Sequence, residues 1–449
     1  MRQRSITGPV ILVAIGLLFL INNLRPDFSP FALIADYWPF LLIGAGVIGL
    51  IEVLIAVSRG SAAPPRPLGG GWIFWIVVWA IIAGVLSDHG VLRFRPYDVG
   101  GVTFLGSDYD YTAAVTGSGQ TVPTGVTKVI LDNLRGNVSL KGDDSAEIKV
   151  AGHKTVRAFN RSTADRADQD SRVEVQRKGD TMLIRMSSPN LSSRLTITTD
   201  LDISIPKGLS IEAHGRAGDL TVDNVDGSLD ISSARGDVRL NHIGKDVRVD
   251  ASRSGLIRAA DLRGNFDLQG KGRDVQLENI AGESTVNGDF SGTLEFRSLA
   301  KALRFESSRT EFHVEAVPGV ITLDLGQLKL SNVSGPVRFQ TGTRDIEVHD
   351  VTNALDLSVD RGDIRVTQSK GPLPKIDLHS HNGDIDLSLP DKTGFQLRGT
   401  TSQGEAENQF GAPLETQASG RGATIQGQVP SGPQIVLTTD RGTISVRKL

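Results

Sequence analysis

Apolar and polar residues alternate in short runs that recur along the second half of the chain. Residues 218–235 align with residues 236–254 so that their apolar positions coincide. Each copy contains two alternating runs, such as 362–366 followed by a second run after the next turn, and period-two alternation is typical of short strands with one buried face. Further copies follow with a period of about 18 to 19 residues, beginning at Gly255, Arg273, Gly292, Thr310, Gly326, Arg344, Gly362 and Gly383.

One copy cannot bury its own apolar side chains, whereas stacked copies bury a continuous ladder of Val, Leu and Ile between two sheets. We therefore predict an all-β, two-sheet β-solenoid with two strands and two turns per coil. Glycine at the turns indicates positive φ or close approach of neighbouring coils. A further apolar position after the first strand is interpreted as an inward corner, and it is filled by Val225, Ile243, Ile280, Leu299, Val317, Val333 and Val351.

The regular solenoid is predicted at 218–393, between less regular segments that would cap its ends. Residues 120–217 carry shorter strand patterns and form the predicted N-terminal cap. Within them, residues 156–169 are charged and free of Gly and Pro, which indicates a short exposed helix or a mobile insert. Residues 394–449 form the predicted C-terminal cap, in which residues 434–446 would supply the final strands that close the other end, because solenoids need atypical caps over their open edges.

Three apolar runs precede these patterns and predict an α-helical transmembrane segment at 1–90. The spans lie at about 8–24, 37–57 and 71–87, followed by a linker at 91–119. Arg2, Arg4, Arg59 and Arg66 favour a cytoplasmic N-terminus, so three crossings would place the C-terminal part outside the cytoplasm. Glu52 is the one ionisable residue within a span, and its nearness to the interface favours simple hydration over function.

Composition divides the chain in the same way. All four tryptophans lie within the first 80 residues, and no tyrosine follows Tyr111. The net charge is −3 with acids and bases interleaved, so nucleic acid is not an expected partner. The absence of cysteine excludes disulfides, thiol catalysis and thiolate metal sites.

Two patterns raise the question of metal binding. Asp377, His379 and His381 alternate along one predicted strand, but Ile376 and Leu378 occupy the core register, so the trio is expected on an ordinary solvent face. Stacked turn carboxylates could bind calcium, although hydrogen bonds to the local backbone explain them better. These turn residues are Asp219, Asp237, Asp274, Asp345, Asp363 and Asp384.

The sequence gives equally little support for adhesion through RGD and for enzymatic activity. The tripeptide RGD occurs at 235–237 and 361–363, at the same position of the repeat, so the repeat itself accounts for it. A β-helix enzyme acting on glycans would need paired carboxylates and aromatic sugar subsites, yet Phe296, Phe305 and Phe339 fall in core register. No nucleophile elbow, phosphate-binding loop or zinc motif is present. No catalytic, cofactor-binding or metal-binding residue is assigned, and no cofactor is expected.

Several segments resemble two known families. Residues 136–152, the strand and turn at 201–222, and the recurrent GDIxV strands are similar to the bacterial putative-adhesin domain of unknown function, over about residues 120–449. The runs GPVILVAIGLLFLINNL and YWPFLLIGAGVIGLIEV resemble the paired spans of LiaF-type cell-wall stress-response proteins, from which the third span departs. The resemblance implies a bacterial envelope protein whose solenoid senses, scaffolds or adheres.

The leading hypothesis is a non-enzymatic, multi-pass protein of the cytoplasmic membrane with an extracytoplasmic β-solenoid for binding, adhesion or scaffolding. Its expected partners are the lipid bilayer and an envelope component or another membrane protein. The alternatives are an envelope-stress regulator that acts through its membrane helices on a signalling partner, and a glycan-processing β-helix enzyme.

Overall fold

A computed structural model describes residues 107–187 and 195–449 of this protein. The three predicted spans and the predicted segment 1–90 lie outside these residues. Within the described ranges, no helix has both the length and the apolar character needed to cross a bilayer.

The described residues contain strands β1–β33 and one helix, α1. The first strands are β1 Ser107–Thr112, β2 Val115–Thr116, β3 Gln120–Thr121, β4 Lys128–Arg135, β5 Val138–Asp143, β6 Glu147–Ala158, then α1 Arg161–Asp170, β7 Arg172–Lys178, β8 Thr181–Ser187, β9 Thr196–Pro206, β10 Ser210–Ala217 and β11 Leu220–Val225. The next are β12 Leu229–Ser233, β13 Gly236–Ile243, β14 Val247–Leu262, β15 Phe266–Ile280, β16 Ser284–Phe290, β17 Leu294–Leu299, β18 Leu303–Glu306, β19 Thr310–Val314, β20 Val317–Leu323, β21 Gln327–Ser334 and β22 Val337–Thr343. The last are β23 Asp345–Thr352, β24 Ala354–Arg361, β25 Ile364–Thr367, β26 Lys375–Asn382, β27 Ile385–Leu389, β28 Phe395–Gln403, β29 Ala406–Gln409, β30 Glu415–Ser419, β31 Gly422–Val429, β32 Gln434–Arg441 and β33 Ile444–Lys448.

The described chain divides into two compact units. The larger comprises residues 112–153, 172–187 and 198–449 and holds nearly all strands, whereas the smaller comprises residues 107–111, 154–171 and 195–197 of the described ranges. In the larger unit, successive coils pair in parallel, as in β11 with β13 and β12 with β14. Two parallel ladders run along the stack, one through β10 and β12 and the other through β11 and β13. β14 and β15 each run through both ladders, so the strands form one sheet and not the two separate sheets predicted.

The core of the larger unit consists of stacked aliphatic columns. Val222, Leu240 and Ala259 are aligned in consecutive coils and are at most 1 % exposed. Alternation therefore identified the inward face correctly, because the side-chain period of a strand is two. All seven predicted inward-corner residues are buried as well: Val225, Ile243, Ile280, Leu299, Val317, Val333 and Val351.

Turn glycines allow the coils to stack closely. Gly236 has φ +121°, and a Cβ at this position would lie 2.0 Å from the carbonyl oxygen of Gly218. Gly218 stands in the same relation to Gly136 in the preceding coil. Both predicted reasons for glycine, positive φ and close approach, are confirmed here.

The copy predicted to begin at Thr310 is not a regular coil. β19 pairs antiparallel with β18 and β22, and β20 pairs antiparallel with β17 and β21, so this coil runs in reverse. The prediction was wrong because period-two alternation reads identically in both chain directions. The ring of Phe312 in β19 lies 5.1 Å from Phe305 and 5.9 Å from both Phe296 and Phe339, and these four rings fill the core around the reversal.

At both ends, the order of coils in space differs from their order in sequence. β4–β5 lies between β8–β9 and β10–β11, because β4 pairs with both β8 and β10. β32–β33 likewise lies between β26–β27 and β28–β29. The last strands therefore do not close the end of the stack, contrary to prediction. Phe410, packed 5.3 Å from Phe395, and the buried Leu414 cover the core there.

The predicted insert at 156–169 is partly strand and partly helix. β6 continues to Ala158, and α1 begins at Arg161 after Asn160, whose side chain accepts from the Thr163 N–H at 2.8 Å. In the smaller unit, Lys154 is 1 % exposed, and its Nζ donates to the carbonyl oxygens of Asp168 and Ser171 at 2.8 Å. A cation at the end of a helix also interacts favourably with the helix dipole. Lys154 thus fixes the C-terminal end of α1.

Candidate binding surface

The turn aspartates form hydrogen-bonded ladders between coils. Asp219 Oδ1 accepts from the Asp237 N–H at 2.9 Å, and Asp237 Oδ1 accepts from the Leu256 N–H at 2.9 Å. Asp345 and Asp363 continue this pattern, each accepting from the matching residue of the next coil. The expected bond to the local turn is wrong at these positions, because the acceptor serves the neighbouring coil. One oxygen of each carboxylate is already used by the fold.

The proposed His–Asp trio lies on an exposed face, as its register predicted. Asp377, His379 and His381 are all exposed on β26, and His381 Nδ1 lies 2.6 Å from Asp440 Oδ2 of β32. Among the residues that the structure describes, no group of three or more His, Cys, Asp or Glu side chains is placed to hold a metal ion.

Both RGD tripeptides belong to the coil-to-coil ladder. Asp237 accepts from Leu256 through Oδ1 and from Arg239 Nη2 through Oδ2, the latter at 2.6 Å. Asp363 Oδ1 accepts from the Asp384 N–H at 2.9 Å. These carboxylates stabilise the stack, which supports the interpretation of RGD as part of the repeat.

Some charges on the outer faces are paired between neighbouring coils. Arg258 lies 3.6 Å from Glu278, Arg338 lies 3.3 Å from Asp356, and both pairs are well exposed. A hydrogen bond from His349 and a second from Lys329 hold the pKa of Glu347 below its usual range. Such exposed pairs each contribute only about 0–1 kcal/mol, but they leave little uncompensated charge where they occur.

One set of in-register opposite charges is unpaired and lines a depression. Asp230, Arg248 and Asp267 are in register on consecutive coils, yet none of them forms an ion pair within the described residues. They line a shallow depression of about 360 Å³, here called the Arg248 depression, together with Ser228, Asp246 and Asn265. Its carboxylates can accept hydrogen bonds from hydroxyl or ammonium groups, and its guanidinium can donate to oxygen acceptors.

No sequence pattern distinguishes the residues of the Arg248 depression from other outward positions. The available signal was opposite charge at the same outward repeat position in three consecutive copies, but similar sequence patterns also produce the closed ion pairs elsewhere. A second hollow, beside Gly136 and Gly218, measures about 30 Å³, which is the space of one water molecule. Of the two, the Arg248 depression is the larger, and it is open to solvent along the outer face of the stack.

The sequence profile of the Toastrack DUF4097 family matches residues 126–447, which is the whole stack of coils and more than half of the chain. The chain belongs to the Toastrack DUF4097 family. The profile of the LiaI-LiaF-like transmembrane region matches residues 6–50 of this Toastrack protein. Both resemblances drawn from the sequence are thereby confirmed. The comparison with curated proteins finds no match.

Three solved structures align with most of the Toastrack protein at low identity. They are a "putative cell adhesion protein" from Clostridium sporogenes ATCC 15579 (9 % identity, 77 % of this chain and 100 % of that chain, TM-score 0.18), a "putative adhesin" from Parabacteroides distasonis ATCC 8503 (8 %, 77 % and 98 %, 0.21) and a "putative adhesin" from Bacteroides fragilis NCTC 9343 (11 %, 79 % and 100 %, 0.16). Their TM-scores are too low to support any conclusion about this chain's function.

Proposed function

We propose that this Toastrack protein is a non-enzymatic binding or scaffolding module held on the outer side of the bacterial cytoplasmic membrane. The match of residues 6–50 to a transmembrane region supports membrane anchoring. The apolar runs at 37–57 and 71–87, with the arginines before and between the spans, support a multi-pass topology that exports the coils.

The observation that carries the binding role is the Arg248 depression. Asp230, Arg248 and Asp267 are in register on consecutive coils and unpaired within the described residues, whereas in-register neighbours such as Arg338 and Asp356 form an ion pair. Charged groups fixed by a scaffold bind a ligand without the cost of ordering a flexible loop. We propose that an envelope component rich in hydroxyl groups, such as a glycan, binds at this face.

Binding of envelope glycans to the full chain in detergent micelles tests this function. We expect Arg248→Ala to lower the affinity for the glycan at least tenfold. Arg258→Ala should leave affinity unchanged, because Arg258, in the second half of β14, is already paired with Glu278 of β15 and does not line the depression. Equal losses in both variants would refute a role for the depression. Release of shortened glycan during incubation would instead establish the enzymatic alternative.

The LiaI-LiaF-like match favours a second function, regulation of an envelope stress response through the membrane helices. Under this alternative, the full chain would co-purify with a membrane signalling protein after cross-linking in cells. Arg248→Ala would then leave the association with the signalling protein intact. If the association instead depends on a glycan bound at the depression, Arg248→Ala should abolish it. The two outcomes separate a regulator from a passive binding module.

A further inference from the structure

β30 is an open edge at the C-terminal end of the stack. It pairs with β31 on one side, and within the described part of the chain no strand pairs with its other side. All five of its side chains are exposed. Unpaired strand edges present rows of backbone donors and acceptors to which another strand can add.

The turn between β30 and β31 determines which backbone groups face outward. Ser419 and Gly422 flank a two-residue turn whose first central residue, Gly420, has φ +64°. The residues flanking such a turn form a hydrogen-bonded pair, and hydrogen-bonded and non-hydrogen-bonded pairs alternate along an antiparallel ladder. The N–H and C=O groups of Thr416 and Ala418 therefore face away from β31.

Natural edge strands usually carry features that prevent pairing, such as proline, lysine or a bulge. The residues of β30, Glu415 to Ser419, include neither proline nor lysine, and their register with β31 is continuous. This edge is consequently available for strand addition.

We propose that a second copy of this chain pairs with β30 in antiparallel orientation, about a two-fold axis at Gln417. In this register, Thr416 of each copy exchanges both backbone hydrogen bonds with Ala418 of the other, which satisfies all four outward N–H groups. The two Gln417 residues then form the central non-hydrogen-bonded pair. The inference is independent of the Arg248 depression and of any glycan.

Charge favours a second copy as the occupant. Glu415 and Arg421 are both exposed and form no ion pair within the described residues of their own chain. In the proposed register, Glu415 of one copy lies opposite Ser419 of the other, next to the turn that carries Arg421, at a separation that two long side chains can span. The symmetry produces this opposite-charge pairing twice.

Such an interface is small. Five residues on each side bury less than the roughly 1,200 Å² typical of stable complexes, so the dimer should be weak in dilute solution. Anchoring both copies in one membrane raises their effective concentration and favours the paired state. The complex is therefore best sought in the full chain within a bilayer.

Disulfide cross-linking of Gln417→Cys in proteoliposomes tests the proposal, because the chain contains no other cysteine. Facing residues of a non-hydrogen-bonded pair lie about 4.5 Å apart at Cα, which is within disulfide range. We expect oxidation to convert most of the chain to covalent dimer. Gln426→Cys, on the neighbouring strand and equally exposed, should cross-link at least fivefold less.

Charge reversal at positions 415 and 421 provides a second test of the proposed dimer. Adding Glu415→Arg to Gln417→Cys should reduce the cross-linked fraction several-fold, and adding Arg421→Glu as well should restore it. Restoration shows that the single variant lost pairing rather than folding. Equal cross-linking at positions 417 and 426, or a yield that Glu415→Arg does not change, would overturn the proposal while leaving the glycan-binding function untouched.

Discussion

Substitution of Gly236 by alanine should separate two coils of the Toastrack stack. The new Cβ would lie 2.0 Å from the Gly218 oxygen, about 1.4 Å short of the 3.4 Å of ordinary contact. The obstructing atoms belong to backbone, so no side-chain rotation can relieve the clash. Alanine must also adopt φ +121°, which non-glycine residues rarely do.

The expected loss follows from the bonds beside this contact. The Gly218 N–H donates to Arg235 O at 3.1 Å, and the Asp237 N–H donates to Asp219 Oδ1 at 2.9 Å. A displacement of 1 Å would break both, at about 1 kcal/mol each. With about 1–3 kcal/mol for the strained backbone, we expect a destabilisation of about 3–5 kcal/mol.

Hydrogen exchange of the full chain in detergent micelles measures this loss locally, in peptides spanning β12 to β14. Tryptophan fluorescence would be a poor probe, since all four tryptophans lie in the first 80 residues. Gly215→Ala is the matched control, because a Cβ there meets nothing within 4 Å and its φ is not positive. If the free energies of opening derived from exchange agree within about 0.5 kcal/mol for the two variants, close stacking at glycine does not stabilise the coils.

Three further predictions concern single contacts. Asp237→Ala should destabilise the stack by about 1–2 kcal/mol in urea unfolding, since the Leu256 N–H loses its acceptor, whereas Asp237→Asn retains an oxygen and should cost less than half as much. Lys154→Met should destabilise α1 by about 3–5 kcal/mol, because Asp168 and Ser171 lose their buried cation. Limited proteolysis should then show new cleavage confined to residues 154–171, and unchanged protection of these residues would contradict the prediction. Burial, followed by the hydrogen bond to Asp165, raises the pKa of Tyr111 to about 12. The unfolded chain therefore loses this proton first, so stability should fall between pH 10 and 12 in the wild type, and Tyr111→Phe should remove that part of the fall in a pH-dependent melt.

The sequence predicts this fold well wherever the deciding interaction is local. Val222 and Leu240 are recognisable as core residues because alternation alone selects the buried face of a strand. Gly236 is recognisable because few other residues tolerate its backbone conformation. The reversed strands β19 and β20 escape prediction, since the same alternation serves parallel and antiparallel pairing.

Other features depend on distant partners and leave no local pattern. The insertion of β32–β33 beneath β28–β29 is decided by which strand edges meet, and all of these strands carry similar apolar residues. The unpaired state of Arg248 is equally invisible, because Arg258 occupies an outward position of the same kind and does find a partner. Thus the sequence predicts the position of a charged side chain but not whether it is neutralised.

The central claim, that the Toastrack coils lie outside the cytoplasm for binding, is tested most directly by labelling one introduced cysteine. Ser402→Cys places an exposed thiol on the stack of a chain that has no other. A membrane-impermeant maleimide added to intact spheroplasts should label this position as fully as it does after detergent lysis. Labelling that appears only after lysis would place the coils in the cytoplasm and contradict the account.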